Sequence, residues 1–363
     1  MELEVQTARR VKDFSALAAE WTNLAESQVF RTPFQSVDWN RLWWKHFRRD
    51  TPRCRDELRL ITVRRCFGPL VAVLPMMLTY RPAKLPLRTR ELQFLGADGN
   101  VTEIRGMLCL PGWEEAVLEA VGRHFLARQE WDWIQWRGLT APPPALLGAF
   151  RPSSPLLDFT LKLPKTWDEL RAGLSRNMKE ALRKCANALP RDGHDHKVDV
   201  ISAPDEIRPA LRQLIRLHAL RAAADGGVLH PNVFAAQAAR GFITEIVHEL
   251  ARRGEVRIFS LSVSGQPVAM RLGFVCASDL YLYYSGYDPA WGRYSVMTTV
   301  VAEAIKWAIQ QGFDRVNLST GSDPSKLRWR PEQLELLEGT QSSAKLRSQF
   351  ALAAMELARA SSA

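Results

Sequence analysis

Cysteine is scarce and scattered: five among 363 residues, at Cys54, Cys66, Cys109, Cys185 and Cys276. There is no C-x-x-C and no Cys/His pair at zinc spacing, which excludes a disulfide scaffold and the common zinc motifs. A reduced, metal-free, cytoplasmic protein is the expectation. No apolar run reaches the ~18 residues that a membrane-spanning helix needs. The opening MELEVQTARRVKDF lacks the apolar centre of a signal peptide. Also missing are a G-x-S-x-G elbow, a Walker loop and a dinucleotide G-x-G-x-x-G.

Net charge is +10, from 49 basic and 39 acidic residues, and the excess runs through both halves. A nucleic-acid footprint would cluster on one face. The spread suits an acidic small ligand, an acidic lipid surface or RNA about equally, so charge excludes little. The length fits two domains of roughly 150 to 200 residues.

A duplication organises the chain. RLITVRRCFGPLVAVLPMML (59–78) and RIFSLSVSGQPVAMRLGF (257–274) both read as β-hairpins, with Arg59 and Pro69 matching Arg257 and Pro267 at an offset of 198. A helix and strand over 113–136 match 296–318, where Trp131-Asp132 and Phe313-Asp314 lie 182 apart. The first half carries a longer insertion around 79–110. Each half opens with a strand and two helices whose apolar residues recur at three- and four-residue spacing. An α/β fold with a mixed sheet flanked by helices, repeated twice, follows.

The expected organisation is a first domain over 1–165, a basic helical connector over 166–194, a second domain over 195–342 and a peripheral helical tail over 343–363. The connector is read as helical to about Leu189, broken by Pro190, Asp192 and Gly193. Its Arg171, Arg176, Lys179, Arg183 and Lys184 either face solvent or line a cleft for an acidic ligand. Trp39, Trp43, Trp44, Trp131, Trp133 and Trp136 are core by their spacing.

The stretch DPAWGRYS (288–295) sets a glycine and an arginine between a strand at 279–287 and a helix at 296–311. A helix N-terminus carries unpaired N–H groups and partial positive charge, so Gly292, Arg293, Tyr294 and Ser295 are candidates to hold a phosphate. A plain turn with Ser295 as N-cap remains the alternative. The loop GSDPSKLRW (321–329) follows a strand at 313–318, where open α/β sheets place ligands. Asp323 is a candidate general base and Lys326 an anion contact, or the pair is a surface turn. His218 lies inside a helix and His230 follows DGGVL in a loop. Spacing alone does not choose among Tyr283, Tyr284 and Tyr287.

TPFQSVDWNRLWWKHF (32–47), LSRNMKEALRKC (174–185), GYDPAWGRYSVMTTVVAEAIKWAIQQGFDRVNL (286–318) and GSDPSKLRW resemble, in that order, the GNAT-type acetyltransferases of the CelD/BcsL group. That group is associated with cellulose and exopolysaccharide biosynthesis. The resemblance runs from about residue 3 to 340. It implies tandem GNAT-like domains, similar in architecture to the Fem-type transferases, and acyl transfer from acetyl-CoA or another acyl-CoA to an amine or hydroxyl of a sugar or related small acceptor.

It implies a donor site at Gly292–Ser295, with Asp323 and Tyr287 as catalytic candidates. Ser319, Lys326, Trp329, Arg176 and Lys179 become candidates for acceptor contact, in a groove between the halves. The first half has acidic Glu114 and Glu115 where phosphate would sit, so no donor site is expected there. Ser325 stands where the family pattern has Tyr, and the turn lacks the full R/Q-x-x-G-x-G/A loop. Two further readings stay open: aminoacyl transfer from charged tRNA, the one case calling for nucleic acid, and a non-catalytic binding subunit.

Overall fold

The computed structural model describes residues 2–82, 88–98, 100–224 and 230–360. DGGVL (225–229) and parts of the first-half insertion lie outside them. The chain divides into unit 1, Met1–Leu156 with Glu335–Ala363, and unit 2, Leu157–Leu334.

Unit 1 begins with β1 (Leu3–Ala8), α1 (Lys12–Glu26), α2 (Val37–Phe47) and the short β2 (Asp50–Thr51). The long apolar strands β3 (Cys54–Arg65) and β4 (Leu70–Arg81) then form the expected hairpin. β5 (Thr89–Phe94), β6 (Leu108–Cys109), α3 (Glu114–Arg128), β7 (Trp133–Leu139) and β8 (Phe150–Pro152) complete the run. Unit 2 repeats it after β9 (Leu156–Lys162), α4 (Trp167–Gly173) and α5 (Arg176–Arg191). Its elements are β10 (His196–Ile201), α6 (Pro204–Ala222), α7 (Gln237–Arg252), β11 (Val256–Val263), β12 (Gln266–Cys276), β13 (Asp279–Tyr287), α8 (Val296–Gln310), β14 (Arg315–Thr320) and the single turn α9 (Pro324–Leu327). β15 (Glu332–Ser342) and α10 (Leu346–Ala360) end the chain.

The two sheets have one design. Unit 1 is ordered β1-β3-β4-β5-β7-β15 and unit 2 β10-β11-β12-β13-β14-β9, with β5/β7 and β13/β14 the parallel pairs. In each, an antiparallel strand covers the last edge, which would otherwise expose a row of unpaired backbone groups. That strand comes from the other half of the sequence. β9 pairs with β14 (Lys162 opposite Arg315) and β15 with β7 (Leu337 opposite Leu139).

The units therefore divide at 156/157 and 334/335, not at the expected 165/166, 194/195 and 342/343. The basic segment is no connector. It is two helices divided at Leu174–Ser175, where Ser175 accepts the Met178 N–H at 3.2 Å as N-cap. Leu170, Leu174, Met178 and Leu189 bury into the unit 2 core. Pro190 lies inside α5, and left-handed Gly193 (φ 75) ends it. The tail helix is also tied down, since Ser348 donates to buried Asp132 at 3.1 Å and Leu352 is buried. The six core tryptophans named above are all buried, as expected.

Two outcomes are expected. A fragment spanning 195–342 lacks Phe159, Leu161, Leu170, Leu174, Met178 and Leu189 of its core. At roughly 1.5–3 kcal/mol each, their loss matches the whole ~5–15 kcal/mol stability of a domain. It should not show a cooperative thermal transition by circular dichroism, whereas 157–334 should. In unit 1, buried His124 links Thr7 (Nε2 to Oγ1, 2.8 Å) with Arg128, which donates to Nδ1 at 3.0 Å. Burial and the Arg128 charge hold its pKa down at about 4, against 6.5. A depressed histidine pKa means the unfolded chain takes up the proton first, so stability is lost as pH falls from 6.5 towards 4. Denaturant midpoints for His124→Gln should fall less steeply over that window than those of the parent.

Candidate functional site

The parallel strands β13 and β14 pair over only three residues, Asp279–Tyr281 with Arg315–Asn317. Beyond them each strand is pulled towards its other neighbour. On β14, buried Asn317 donates through Nδ2 to Asp158 Oδ2 (2.7 Å) and Thr160 Oγ1 (3.2 Å) of β9. Its Oδ1 accepts the Ser319 N–H at 2.7 Å and helps hold Ser319 in the left-handed region (φ 73). The β14/β9 register shifts there. On β13, an extra residue at Tyr283–Tyr284 bulges opposite Leu272, between the pairs Gly273/Leu282 and Arg271/Ser285. A wedge opens between the C-terminal halves of the two strands.

Helix α6 supplies the polar groups beside the wedge. Ile207, Ala210, Leu211, Leu214 and Leu217 form its buried stripe, which His218 and Arg221 continue. The helix packs so closely on β13 that a Cβ on Gly286 would lie 2.2 Å from the His218 backbone nitrogen. His218 Nδ1 donates to the Ser285 carbonyl at 2.9 Å, and its ring stands against Phe234 and Tyr284. Arg221 donates to Ser285 Oγ at 3.0 Å and to His230 Nε2 at 2.6 Å, and its guanidinium carbon lies 5.6 Å from the centre of the Tyr287 ring. Burial lowers the pKa of both histidines, and the Arg221 charge adds to this. His230 therefore meets Arg221 as a neutral acceptor. Asp323 is close enough for its charge to act on Arg221 and His230.

The structure thus brings His218, His230, Tyr284, Tyr287 and Asp323 to one place. Asp323 is nevertheless a poor base. Its carboxylate caps α9, accepting the Ser325 N–H at 2.7 Å. Burial raises its pKa, but the hydrogen bonds from Ser325 and the Lys326 charge leave it below the ordinary value. Lys326 donates to the Thr320 carbonyl. Trp329 is buried in the core beside Trp167, so its side chain is not available to a ligand. Arg176 and Lys179 are exposed on α5, with Lys179 bonded to the Ala172 carbonyl at 2.9 Å.

Pro289–Tyr294 forms a 3-10 turn capped by Asp288, with Gly292 and Arg293 exposed. A Cβ on Gly292 would lie 3.8 Å from Tyr287, which ties the turn to the wedge. Tyr294 is buried. Its hydroxyl accepts from Arg293 at 2.6 Å and lies 3.0 Å from His194 Nε2, so its side chain belongs to the packing of the turn. Ser295 is left-handed (φ 54) and makes no side-chain cap to α8, contrary to the plain N-cap reading. Arg328 donates to Thr298 Oγ1 at 2.7 Å and brings a second cation to the first turn of α8.

The corresponding place in unit 1 is filled. The chain after β5 crosses to the end of β7. A Cβ on Gly96 would lie 2.8 Å from the Arg105 side chain, and one on Gly138 would lie 1.8 Å from the Arg105 carbonyl. Among the described residues there is no group of three His, Cys, Asp or Glu that could hold a metal ion. No helix among them is long and apolar enough to cross a membrane.

Residues 176–327 match the family model described as acetyltransferase (GNAT) domain. No curated protein matches the sequence. Among solved structures, FemX overlaps 93% of this chain and 97% of its own, with TM-score 0.58 at 12% identity. The C-terminal domain of a putative lysylphosphatidylglycerol synthetase from Agrobacterium fabrum overlaps 95% and 96%, with TM-score 0.51 at 13% identity. At such identities the likeness establishes the fold. Residues 176–327 thus carry a GNAT acetyltransferase domain, which supports an acyltransferase, and none of these comparisons narrows the protein to the CelD/BcsL group.

Arg221, Ser285, Asn317 and Arg328 were not singled out by sequence. The one signal was the spacing of Arg221 three residues after His218 on a buried stripe. Arg221→Lys keeps the charge but loses the fork that joins Ser285 to His230. Turnover should drop about tenfold or more with donor KM little changed, the mark of an interaction made in the transition state.

Proposed function

We propose that unit 2 alone binds acyl-CoA and passes its acyl group to an amine or hydroxyl of a sugar, polysaccharide precursor or related small acceptor. The observation that carries this is the wedge: two parallel strands parted beside the turn that starts α8. The extended, amide-bearing arm of CoA can add to parted strand edges through main-chain hydrogen bonds. Its pyrophosphate then meets the amides of Gly292–Ser295, the N-terminus of α8 and the cations Arg293 and Arg328. The saccharide acceptor rests on the motif resemblance to the CelD/BcsL group.

In the proposed reaction the acceptor nitrogen or oxygen attacks the thioester carbonyl. Backbone amides at the β13 bulge stabilise the oxyanion, and the C–S bond breaks to release CoA. The acceptor's proton passes by way of the Tyr287 hydroxyl towards the leaving thiolate or solvent. Arg221 holds Ser285 and His230 and faces the Tyr287 ring, which makes it a positioning residue. The loop after β14, from Ser319 to Lys326, borders the acceptor side. A second reading, aminoacyl transfer from charged tRNA, draws on the exposed cations of α5; steeply salt-dependent tRNA affinity would favour it.

Arg293→Glu should weaken acetyl-CoA binding by ~1–3 kcal/mol, the range for a lost charge-assisted hydrogen bond. Calorimetry on the folded variant checks this, and unchanged affinity would remove the donor site from the turn. Tyr287→Phe should lower turnover with acetyl-CoA affinity kept.

A further inference from the structure

Unit 2 carries a second concavity that the acyl-transfer reading does not use. It is a cleft of about 730 Å³ between α4, α5, β10 and the middle of α8. Its lining has no residue in common with the cluster of His218, Arg221, His230, Ser285, Tyr287 and Asp323. The volume is that of a site for one small organic molecule.

Its chemistry is lopsided. Arg171, Lys179, Arg183, Lys197 and Lys306 line it against a single carboxylate, Glu303. Lys197 and Lys306 hold Asp199 and Glu303 at 2.6 Å and Lys179 donates to the Ala172 carbonyl, whereas Arg171 and Arg183 are weakly paired. Arg183 and Glu180 pair at 3.5 Å with side chains 71% and 46% exposed, and Arg171 stands 4.0 Å from an Asp168 that is 86% exposed. Exposed pairs of this kind contribute little, so an incoming anion can take over the cations at small cost. Beneath the charges lie apolar groups, Leu182, Val198 and Ala302, with the Trp167 indole at one side and Lys306 Nζ 5.1 Å from its ring centre. One face of α5 explains the arrangement: Met178, Cys185 and Leu189 anchor it in the core, while Lys179 and Arg183 stay outside.

We propose that this cleft is an accessory binding site for a phosphorylated molecule with an apolar or aromatic body. A cluster of cations suits a multiply charged phosphate, and the indole and aliphatic surface suit the body attached to it. Such a ligand can be a free nucleotide or the headgroup region of an anionic phospholipid. The two share the recognising chemistry and differ in how they are presented.

The test uses the full chain, with ATP in calorimetry and phosphatidylglycerol vesicles in co-sedimentation, phosphatidylcholine vesicles serving as the neutral control. The double variant Lys179→Glu/Arg183→Glu and the opposite-wall variant Lys197→Glu are compared with Arg293→Glu at the α8 turn. Thermal melts establish that each is folded. The site is supported if ATP or phosphatidylglycerol binds, loses tenfold or more in affinity in the double variant, weakens in Lys197→Glu and is unaffected by Arg293→Glu. ATP binding alone identifies a nucleotide-type ligand, and vesicle binding alone a lipid-borne one. The proposal is overturned if neither probe binds, if the cleft variants bind as the parent does, or if Arg293→Glu abolishes the binding.

Discussion

The parting of β13 from β14 after three paired residues is the constraint on which the rest of unit 2 depends. Parallel strands left to themselves would continue their ladder, because an unpaired N–H or C=O in a sheet interior is costly. Two local devices offset that cost. Asn317 spends its whole amide on β9 and on the Ser319 N–H, which turns the end of β14 away. The extra residue at Tyr283–Tyr284 curls β13 towards β12, and His218 takes up the Ser285 carbonyl. Left-handed Ser319 and Ser295 flank the gap, and non-glycine residues in that region gather at functional sites.

The same sheet occurs in unit 1, yet the gap there is closed by the chain itself. The difference lies in the connection that follows the equivalent strand. From β13 the chain reaches α8 through one 3-10 turn, whereas from β5 it runs through residues 95–113 before α3. Within that longer connection Arg105 reaches from Gly96 to Gly138, and only glycines leave room for it. Insertion length thus separates an open wedge from a plugged one built on one strand order. The acidic first turn of α3, with Glu114 and Glu115, agrees with this.

Much of the layout was legible in the chain. Hairpin patterns, the helical stripes of α6 and α7 and the offsets of 198 and 182 led to a repeated α/β sheet, and the strand orders agree with it. The exchange of β9 and β15 was not legible. PLLDFTLKL follows a completed repeat, and nothing local says which of two similar sheet edges it will cover. Ser175 within LSRNMKEA shows the same limit, since a serine inside a helical pattern caps a new helix only if tertiary packing bends the chain there. At the site, Tyr287, His230 and Asp323 could be named singly by residue type. Arg221, which joins two of them, acquires its role only when α6 lies across β13. A carboxylate in such a loop is a candidate base or part of a surface turn, but α9 begins beside Asp323 and claims its carboxylate as a cap.

In the proposed reaction only one of the two like-ordered sheets is open to an acyl donor. Titrating the full-length Lys179→Glu/Arg183→Glu variant, whose α5 cleft is disabled towards phosphorylated ligands, with acetyl-CoA by calorimetry, and counting sites per chain, tests this most directly. One site per chain is predicted, from the wedge of unit 2. Two sites, or none, would contradict it.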